Sequence, residues 1–172
     1  MKMASGATPL IALKAVALDT ETTGLDASKA RIVQIGALAI ADGRIRDGET
    51  LDLLVDPGIP IPSASSRIHN ITNAMVRSAP QFPAAWQKLD AFTAGRIIIG
   101  HSIGFDLAVL EKETGRANLP WERPRTLCVR LLAQVASPGL ADYSLDTLAS
   151  WLGVSVTGRH SALGDAQADP QG

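Results

Sequence analysis

A run of apolar residues leads directly into a pair of acids in the stretch Ala15-Val16-Ala17-Leu18-Asp19-Thr20-Glu21-Thr22-Thr23-Gly24-Leu25. The apolar run over 14–19 predicts a buried strand, because short continuous hydrophobic runs are typical of strands that are covered on both faces. A carboxylate is costly to bury, so an acid at the end of such a strand indicates a functional site. Asp19 and Glu21 are two residues apart, and on a strand their side chains would lie on the same face.

The rest of the chain predicts a sheet flanked by helices. Further strands are expected at 31–40, 44–55 and 96–100. The turn signal Asp42-Gly43 joins two of them, so the first three strands should form an antiparallel meander. Helices are expected at 83–93, 106–114, 126–135 and 144–152, followed by a last helix that begins near His160. Strands first and helical crossovers later indicate an α/β fold with a mixed sheet.

Prolines and glycines mark the expected ends of these elements. The prolines within 57–62 predict an irregular loop. Gly115 is expected to end the helix that starts at 106, and Gly153 the helix that starts at 144. We interpret Glu111-Lys112-Glu113 as the solvated face of the first of these helices.

The composition of the 172-residue chain argues against several classes of protein. Its 16 Lys and Arg residues against 17 Asp and Glu give a net charge of −1, which argues against a protein that coats nucleic acid by charge alone. No stretch approaches the roughly 18 to 20 apolar residues of a membrane span, so no membrane partner is expected. The single cysteine, Cys128, favours a reducing, cytoplasmic compartment. We expect a flexible leader at 1–13 and a single domain at 14–172.

Further acids and a histidine follow in two short motifs. Asp106 closes Gly100-His101-Ser102-Ile103-Gly104-Phe105-Asp106, and the second motif is His160-Ser161-Ala162-Leu163-Gly164-Asp165. Four carboxylates that converged on one point would repel each other, and two divalent cations would supply the missing counter-charge. Oxygen ligands favour Mg²⁺ or Mn²⁺ over zinc. A neutral imidazole such as His160 could accept a proton from an attacking water, so the set indicates hydrolysis of a phosphate ester.

These motifs resemble the DEDDh family of 3′→5′ exonucleases, which includes the epsilon subunit of bacterial DNA polymerase III and ribonuclease T. The resemblance covers roughly 15–168 and is also carried by Arg31-Ile32-Val33-Gln34-Ile35-Gly36, Ile68-His69-Asn70-Ile71-Thr72 and Ser144-Leu145-Asp146-Thr147-Leu148-Ala149. It implies a ribonuclease H-like fold with a mixed five-stranded sheet. It also implies attack on single-stranded DNA or RNA 3′ ends, with release of nucleoside 5′-monophosphates. A polymerase or a fused domain is the protein partner that the resemblance implies.

The resemblance also implies a role for each matching residue. The implied metal ligands are Asp19, Glu21, Asp106 and Asp165, and the implied general base is His160. The implied substrate-binding residues are Thr22, Thr23, Gly24, Leu25, His69 and Phe105. Leu25 would wedge against a base, while Thr22 would meet the 3′-hydroxyl. The end of the chain departs from the family, because only 166–172 follow the last acid and Pro170 would stop a helix there, so the final helix is expected to be short.

Two other functions are compatible with this sequence. One is a nucleic-acid-binding or polymerase-docking domain of the same fold with weak catalysis, in which a short final helix holds Asp165 loosely. The other is a phosphodiesterase that acts on very short nucleic acids. The sequence alone does not choose DNA over RNA, because that choice depends on contacts near the terminal 2′ position.

Overall fold

A computed structural model describes residues 8–156 and 168–169. Its main sheet has five strands in the order β3-β2-β1-β4-β5. The strands are β1 (Ala15–Thr22), β2 (Ile32–Ala41), β3 (Arg44–Leu54), β4 (Ile97–Gly100) and β5 (Thr126–Cys128). The first three are antiparallel neighbours, while β4 lies parallel to β1, and β5 parallel to β4. The expected mixed five-stranded sheet with three antiparallel strands at its start is confirmed.

Helices follow the third strand and alternate with the last two. They are α1 (Ser63–His69), α2 (Asn73–Val76), α3 (Phe82–Thr93), α4 (Gly104–Arg116), α5 (Val129–Ala136) and α6 (Leu145–Leu152). A 3₁₀ turn at Leu10–Ala12 precedes the sheet, and a small antiparallel pair joins β6 (Ser155–Val156) to β7 (Ala168–Asp169). None of the helices in the described ranges is long and apolar enough to span a membrane.

The main core lies between one face of the sheet and helices α3 and α4. Val16 and Leu18 of β1 point to this face and are at most 2% exposed. Leu89 of α3 and Leu110 of α4 pack against them, each 1% exposed. This packing fixes α4 against the central strand, and the first turn of α4 carries Asp106.

β1 and β4 approach closely where the chain turns into α4. A Cβ atom added to Gly100 would lie 2.8 Å from the carbonyl oxygen of Leu18 and 2.7 Å from the Cδ1 of Ile103. Real Cβ atoms essentially never come so near, so only glycine fits this position without a shift. The turn between β4 and α4 therefore depends on a close backbone approach.

Two expectations about the elements were wrong in detail. The expected strand over 14–19 continues to Thr22, so that both acids of the first motif lie on one strand. In contrast, the expected irregular loop over 57–62 is confirmed, and it leads directly into the short helices α1 and α2. The first three residues of the expected helix over 126–135 form β5 instead, because the open edge of β4 supplies them with backbone partners.

The expected helix ends were met at one position and missed at another. Gly153 adopts the left-handed conformation (φ +66°) that ends α6, and the Ser144 hydroxyl caps its start by accepting a bond from the Thr147 amide. Gly115 does not end α4, which continues through Arg116, and the left-handed residue is Asn118 (φ +54°). The last expected helix, near His160, lies outside the described residues.

Candidate active site

Asp19 and Glu21 lie on the same face of the central strand. Strand β1 runs through both, and the register with β2 pairs Asp19 with Gly36 and Glu21 with Gln34. Both acids are half-buried. The residue between them, Thr20, points to the opposite face and is 7% exposed. The expected placement of the two acids on one face of a strand is confirmed.

Asp106 is bound to this strand by two hydrogen bonds. Its Oδ1 accepts from the Thr20 backbone amide at 2.9 Å and from the Thr20 hydroxyl at 2.7 Å. The ladder between β1 and β4 ends at Ala17 and Ile99, so this amide lies beyond the last backbone partner on that side. The carboxyl group of Asp106 therefore takes over from β4 as the partner of β1. Since Thr20 separates Asp19 from Glu21, the three acids are brought to the same end of the sheet.

Burial dominates the electrostatics of Asp106. The residue is 4% exposed, and this desolvation raises the pKa of its carboxyl to about 6. The hydrogen bonds from Thr20 act in the opposite direction, because they favour the charged form, but they do not overcome desolvation. Burial thus disfavours the charged form of this carboxylate.

The other implied members of the metal site lie beyond what the structure describes. His160 and Asp165 are outside the described ranges, so their position relative to Asp19 is not part of the structure. Among residues 8–156 and 168–169, no three His, Cys, Asp or Glu side chains are arranged to hold a metal ion. The described acids supply only oxygen atoms, which are the donors that Mg²⁺ and Mn²⁺ prefer.

The residues after β1 form a loop that is held from several sides. The Thr22 hydroxyl donates to the carbonyl of Gly24 at 2.7 Å. The Ser65 hydroxyl, from α1, donates to the carbonyl of Thr23 at 2.9 Å. Thr22 and Thr23 are buried, whereas Leu25 is 87% exposed. A large apolar side chain is thus presented to solvent on a well-anchored backbone.

His69 lies at the end of α1 and is 5% exposed. Its Nδ1 accepts a hydrogen bond from the Ile71 amide at 3.1 Å, which places the proton of the neutral ring on Nε2. Nε2 is buried and has no hydrogen-bond partner among the described residues. Burial lowers the pKa of His69, although a backbone interaction with Thr22 opposes that effect. His69 is therefore neutral at pH 7 and lies beside the backbone of Thr22.

Two further residues flank the motif that contains Asp106. Phe105, in the first turn of α4, is partly buried against the main core. His101 bonds through Nε2 to the carbonyl of Tyr143 at 2.7 Å, a contact that joins the turn after β4 to the segment before α6.

Glu113 is buried, contrary to what its position in the sequence predicts. It was expected on the wet face of α4, but its side chain is 2% exposed and forms ion pairs with Arg31 and Arg116. One signal in the sequence could have found it: Glu113 is seven residues after Asp106, so on a helix the two lie on the same face. A helix that aims Asp106 at the sheet also aims Glu113 at it.

Comparisons with known proteins agree with this geometry. The family model described as Exonuclease matches residues 16–170 of the chain. A "DNA polymerase III subunit epsilon-like protein" of Rhodobacter capsulatus is 40% identical over 94% of the chain. A "DNA polymerase III subunit epsilon" of Aquifex aeolicus is 32% identical over 88% of it. The chain spans 23% of the length of the first relative and 74% of the second.

Solved structures give the same result for the fold. Exonuclease X in complex with 5′ overhanging duplex DNA is 29% identical, with a TM-score of 0.64 over 83% of this chain and 75% of that one. Exonuclease I reaches a TM-score of 0.76 over 90% of this chain and 38% of that one; at 18% identity this likeness shows the ribonuclease H-like fold alone. The motif resemblance, the strand order and the family match over nearly the whole chain lead to one conclusion: this protein belongs to the exonuclease family.

Proposed function

We propose that the protein is a metal-dependent 3′→5′ exonuclease that removes nucleotides from the ends of single-stranded nucleic acid. One observation carries this proposal: Asp106 is hydrogen-bonded to Thr20, the residue between Asp19 and Glu21. A helix and a strand thereby bring three acids to one end of the sheet. On this proposal, residues 14–172 would form one exonuclease domain.

The chemistry of these acids fits divalent cations. Asp106 is buried and its pKa is raised to about 6, so a nearby cation would relieve a desolvated carboxylate. We propose that Asp19, Glu21 and Asp106, together with Asp165, hold two ions of Mg²⁺ or Mn²⁺. Bound there, such ions would neutralise the carboxylates and act as Lewis acids at the scissile phosphate.

The remaining roles fall to other residues of the chain. His160 would accept a proton from a water that attacks phosphorus, while the bond from phosphorus to the 3′ oxygen of the preceding nucleotide breaks. The products are a nucleoside 5′-monophosphate and a strand with a new 3′-hydroxyl. Thr22, Thr23 and Gly24 would bind the terminal nucleotide along the loop after β1, and Leu25 would pack against its base. Phe105 and His69 would border the same site, His69 as a neutral ring beside Thr22.

We propose DNA as the substrate class and a polymerase as the partner. Exonuclease X, at 29% identity, was solved with a DNA duplex that carries a 5′ overhang, and a recessed 3′ end accompanies such an overhang. Two relatives are named as a polymerase III epsilon subunit or as a protein like it, and others are PolC-type polymerases of which the chain covers about a tenth. This chain would accordingly act beside a polymerase, as a subunit or as part of a longer polypeptide.

The proposal is tested with matched DNA and RNA oligonucleotides that carry a label at the 5′ end. With Mg²⁺ or Mn²⁺ the wild-type protein should produce a ladder of shortened DNA strands and release nucleoside 5′-monophosphates. Blocking the 3′ end should stop degradation, since attack begins there. Asp19→Asn should remove at least about 99% of the rate, because it deletes a charge from the proposed metal site.

The matched control is Asp47→Asn, an exposed acid on β3 far along the sheet from the first motif. This variant should degrade DNA at the wild-type rate. Equal loss in both variants, or undiminished activity of Asp19→Asn, would refute the assignment of the site. Tight DNA binding without degradation by the wild-type protein would instead favour the docking domain of weak catalysis.

A further inference from the structure

The loop that carries Leu25 is closed at its base by two reciprocal hydrogen bonds. The Thr23 amide donates to the carbonyl of Arg31 at 2.9 Å, and the Arg31 amide donates to the Thr23 hydroxyl at 3.0 Å. Inside the loop, Asp26 accepts bonds from the amide and the hydroxyl of Ser28 at 3.0 and 2.6 Å. Leu25 thus projects from a compact loop, residues 23–31, whose two ends are held together.

A buried carboxylate on α4 holds the base of this loop. The Oε1 atom of Glu113 accepts from the Nε of Arg31 at 2.6 Å and from the Ile32 amide at 3.4 Å. The same oxygen accepts from the Nη1 of Arg116 at 3.4 Å. A buried charge is stable only when it is paired, so the energetic penalty for separating these groups keeps the arrangement in place.

Arg116 binds the second limb of the loop. Its guanidinium donates through Nη1 to the carbonyl of Ala30 at 2.9 Å and through Nη2 to the carbonyl of Ser28 at 2.8 Å. Glu113 and Arg116 therefore bind the second half of the loop through backbone atoms and through the side chain of Arg31. We name this set, Glu113, Arg116 and Arg31, the loop clamp.

The loop clamp and the candidate active site share one rigid element. Asp106 and Glu113 lie on the same face of α4, about 10 Å apart along its axis at 1.5 Å per residue. Asp106 is bound to Thr20, which precedes the loop, and Glu113 is bound to Arg31 at the end of the loop and to Ile32 directly after it. A single helix therefore fixes both the acids of β1 and the loop that begins where β1 ends.

We propose that Glu113 is a positioning residue: through Arg31 and Arg116 it sets where Leu25 stands relative to the acids of β1, and so how firmly the terminal nucleotide is held. The inference rests on the proposed function and adds a residue that touches neither substrate nor metal. Loss of the clamp loosens the loop and weakens substrate binding, while the acids of β1 keep their places.

The test compares Glu113→Gln with Glu111→Gln, an exposed acid two positions earlier on the same helix. Gln retains the acceptor oxygen and the volume of Glu113 but loses the charge that pairs with two guanidinium groups. We expect the KM for a single-stranded oligonucleotide to rise about tenfold in Glu113→Gln, with kcat within about twofold of wild type. Glu111→Gln should match wild type in both constants.

Two measurements separate positioning from a merely structural role. Leu25→Ala should raise KM by a similar factor, and the double variant should show no further rise, because both changes act on the same contact. Amide hydrogen exchange should speed up at Thr23 and Arg31 in Glu113→Gln, while the amides of β2 keep their wild-type protection. A general loss of stability would instead lower the active fraction and speed up exchange throughout the sheet.

Several results would overturn the inference. An unchanged KM in Glu113→Gln, or effects that multiply with Leu25→Ala, would remove the link between the clamp and Leu25. Should Glu113→Gln fail to fold, Arg116→Lys keeps the charge but loses the paired contacts to Ser28 and Ala30, and the same KM rise is expected there. If the wild-type protein degrades no oligonucleotide, the proposed function is refuted and the inference with it. If the wild type is active and the Glu113 and Arg116 variants keep its KM, only the inference is refuted.

Discussion

Replacing Asp106 by asparagine should make the metal-free protein more stable while it removes activity. Asparagine has nearly the same volume and keeps an oxygen for the two Thr20 donors, which lie 2.7 and 2.9 Å from Oδ1. It lacks the charge that burial disfavours. The native state therefore no longer has to hold a desolvated carboxylate.

The size of the gain follows from the pKa of Asp106. Burial raises this pKa from the ordinary value of 3.8 to about 6. A tenfold change in proton affinity is worth about 1.4 kcal/mol, so the full effect is about 3 kcal/mol above pH 7. The amide of the asparagine needs a partner of its own, so we expect a net gain of about 1 to 3 kcal/mol.

The gain should depend on pH in a defined direction. Between pH 3.8 and about 6 the native state binds more protons than the unfolded state, so wild-type stability falls as the pH rises through this window. Asparagine does not titrate and escapes this loss. The difference between the two proteins should be largest above about pH 7 and should nearly vanish close to pH 4.

Urea unfolding in EDTA, followed by tryptophan fluorescence, measures this difference. The chain has 3 tryptophans, and two of them, Trp86 and Trp121, are in ring contact beside the core. Asp47→Asn is the control and should leave the free energy of unfolding unchanged at either pH. Added Mg²⁺ should stabilise the wild type but not Asp106→Asn, because only the wild type retains the full ligand set. An Asp106→Asn protein that is less stable than wild type near pH 8, or a gain that persists near pH 4, would refute the reasoning.

Other outcomes can be measured on single variants. Leu25→Ala should change the free energy of unfolding by less than about 0.5 kcal/mol, because the side chain is 87% exposed, and a larger loss in urea unfolding would mean that Leu25 packs. Ser144→Ala should lower the free energy of unfolding by about 1 kcal/mol because it removes the cap of α6, whereas Ser150→Ala on the same helix should change it little. Equal losses for the two variants in urea unfolding would exclude capping as the cause. The rate at saturating metal should fall below about pH 6.5, where His160 becomes protonated, and a flat profile would argue against the base.

The sequence predicted well the features that depend on local chemistry. Ser144 and Gly153 mark the ends of α6 because capping and the left-handed conformation are decided by single residues. The pairing of Asp19 with Glu21 on one face followed from the period of a strand. Asp42 and Gly43 both have positive φ, which is the turn chemistry that joins β2 to β3.

Features that depend on distant partners were missed. Strand β5 has only three residues, and they are extended because β4 offers an open edge, which nothing within 126–128 reveals. Glu113 resembles a surface acid because its neighbours Glu111 and Lys112 are exposed, and although Arg116 lies one helical turn away, its closer partner Arg31 is 82 residues distant in the sequence. The raised pKa of Asp106 likewise reflects its burial in the folded state. The roles of His160 and Asp165 stay predictions, because both residues lie outside the described ranges.

The bond from the Thr20 amide to Asp106 affects how inactive forms of this protein should be made. Replacing Asp106 by alanine would leave the Thr20 amide without its hydrogen-bond acceptor, at a point beyond the end of the β1–β4 ladder. An inactive variant made in this way would lack a metal-site carboxylate and would also have a disturbed β1 strand. Its crystal structure and its substrate affinity would reflect both changes. Asp19→Asn leaves the strand's hydrogen bonds to Asp106 intact and is therefore the cleaner choice for trapping an uncut substrate.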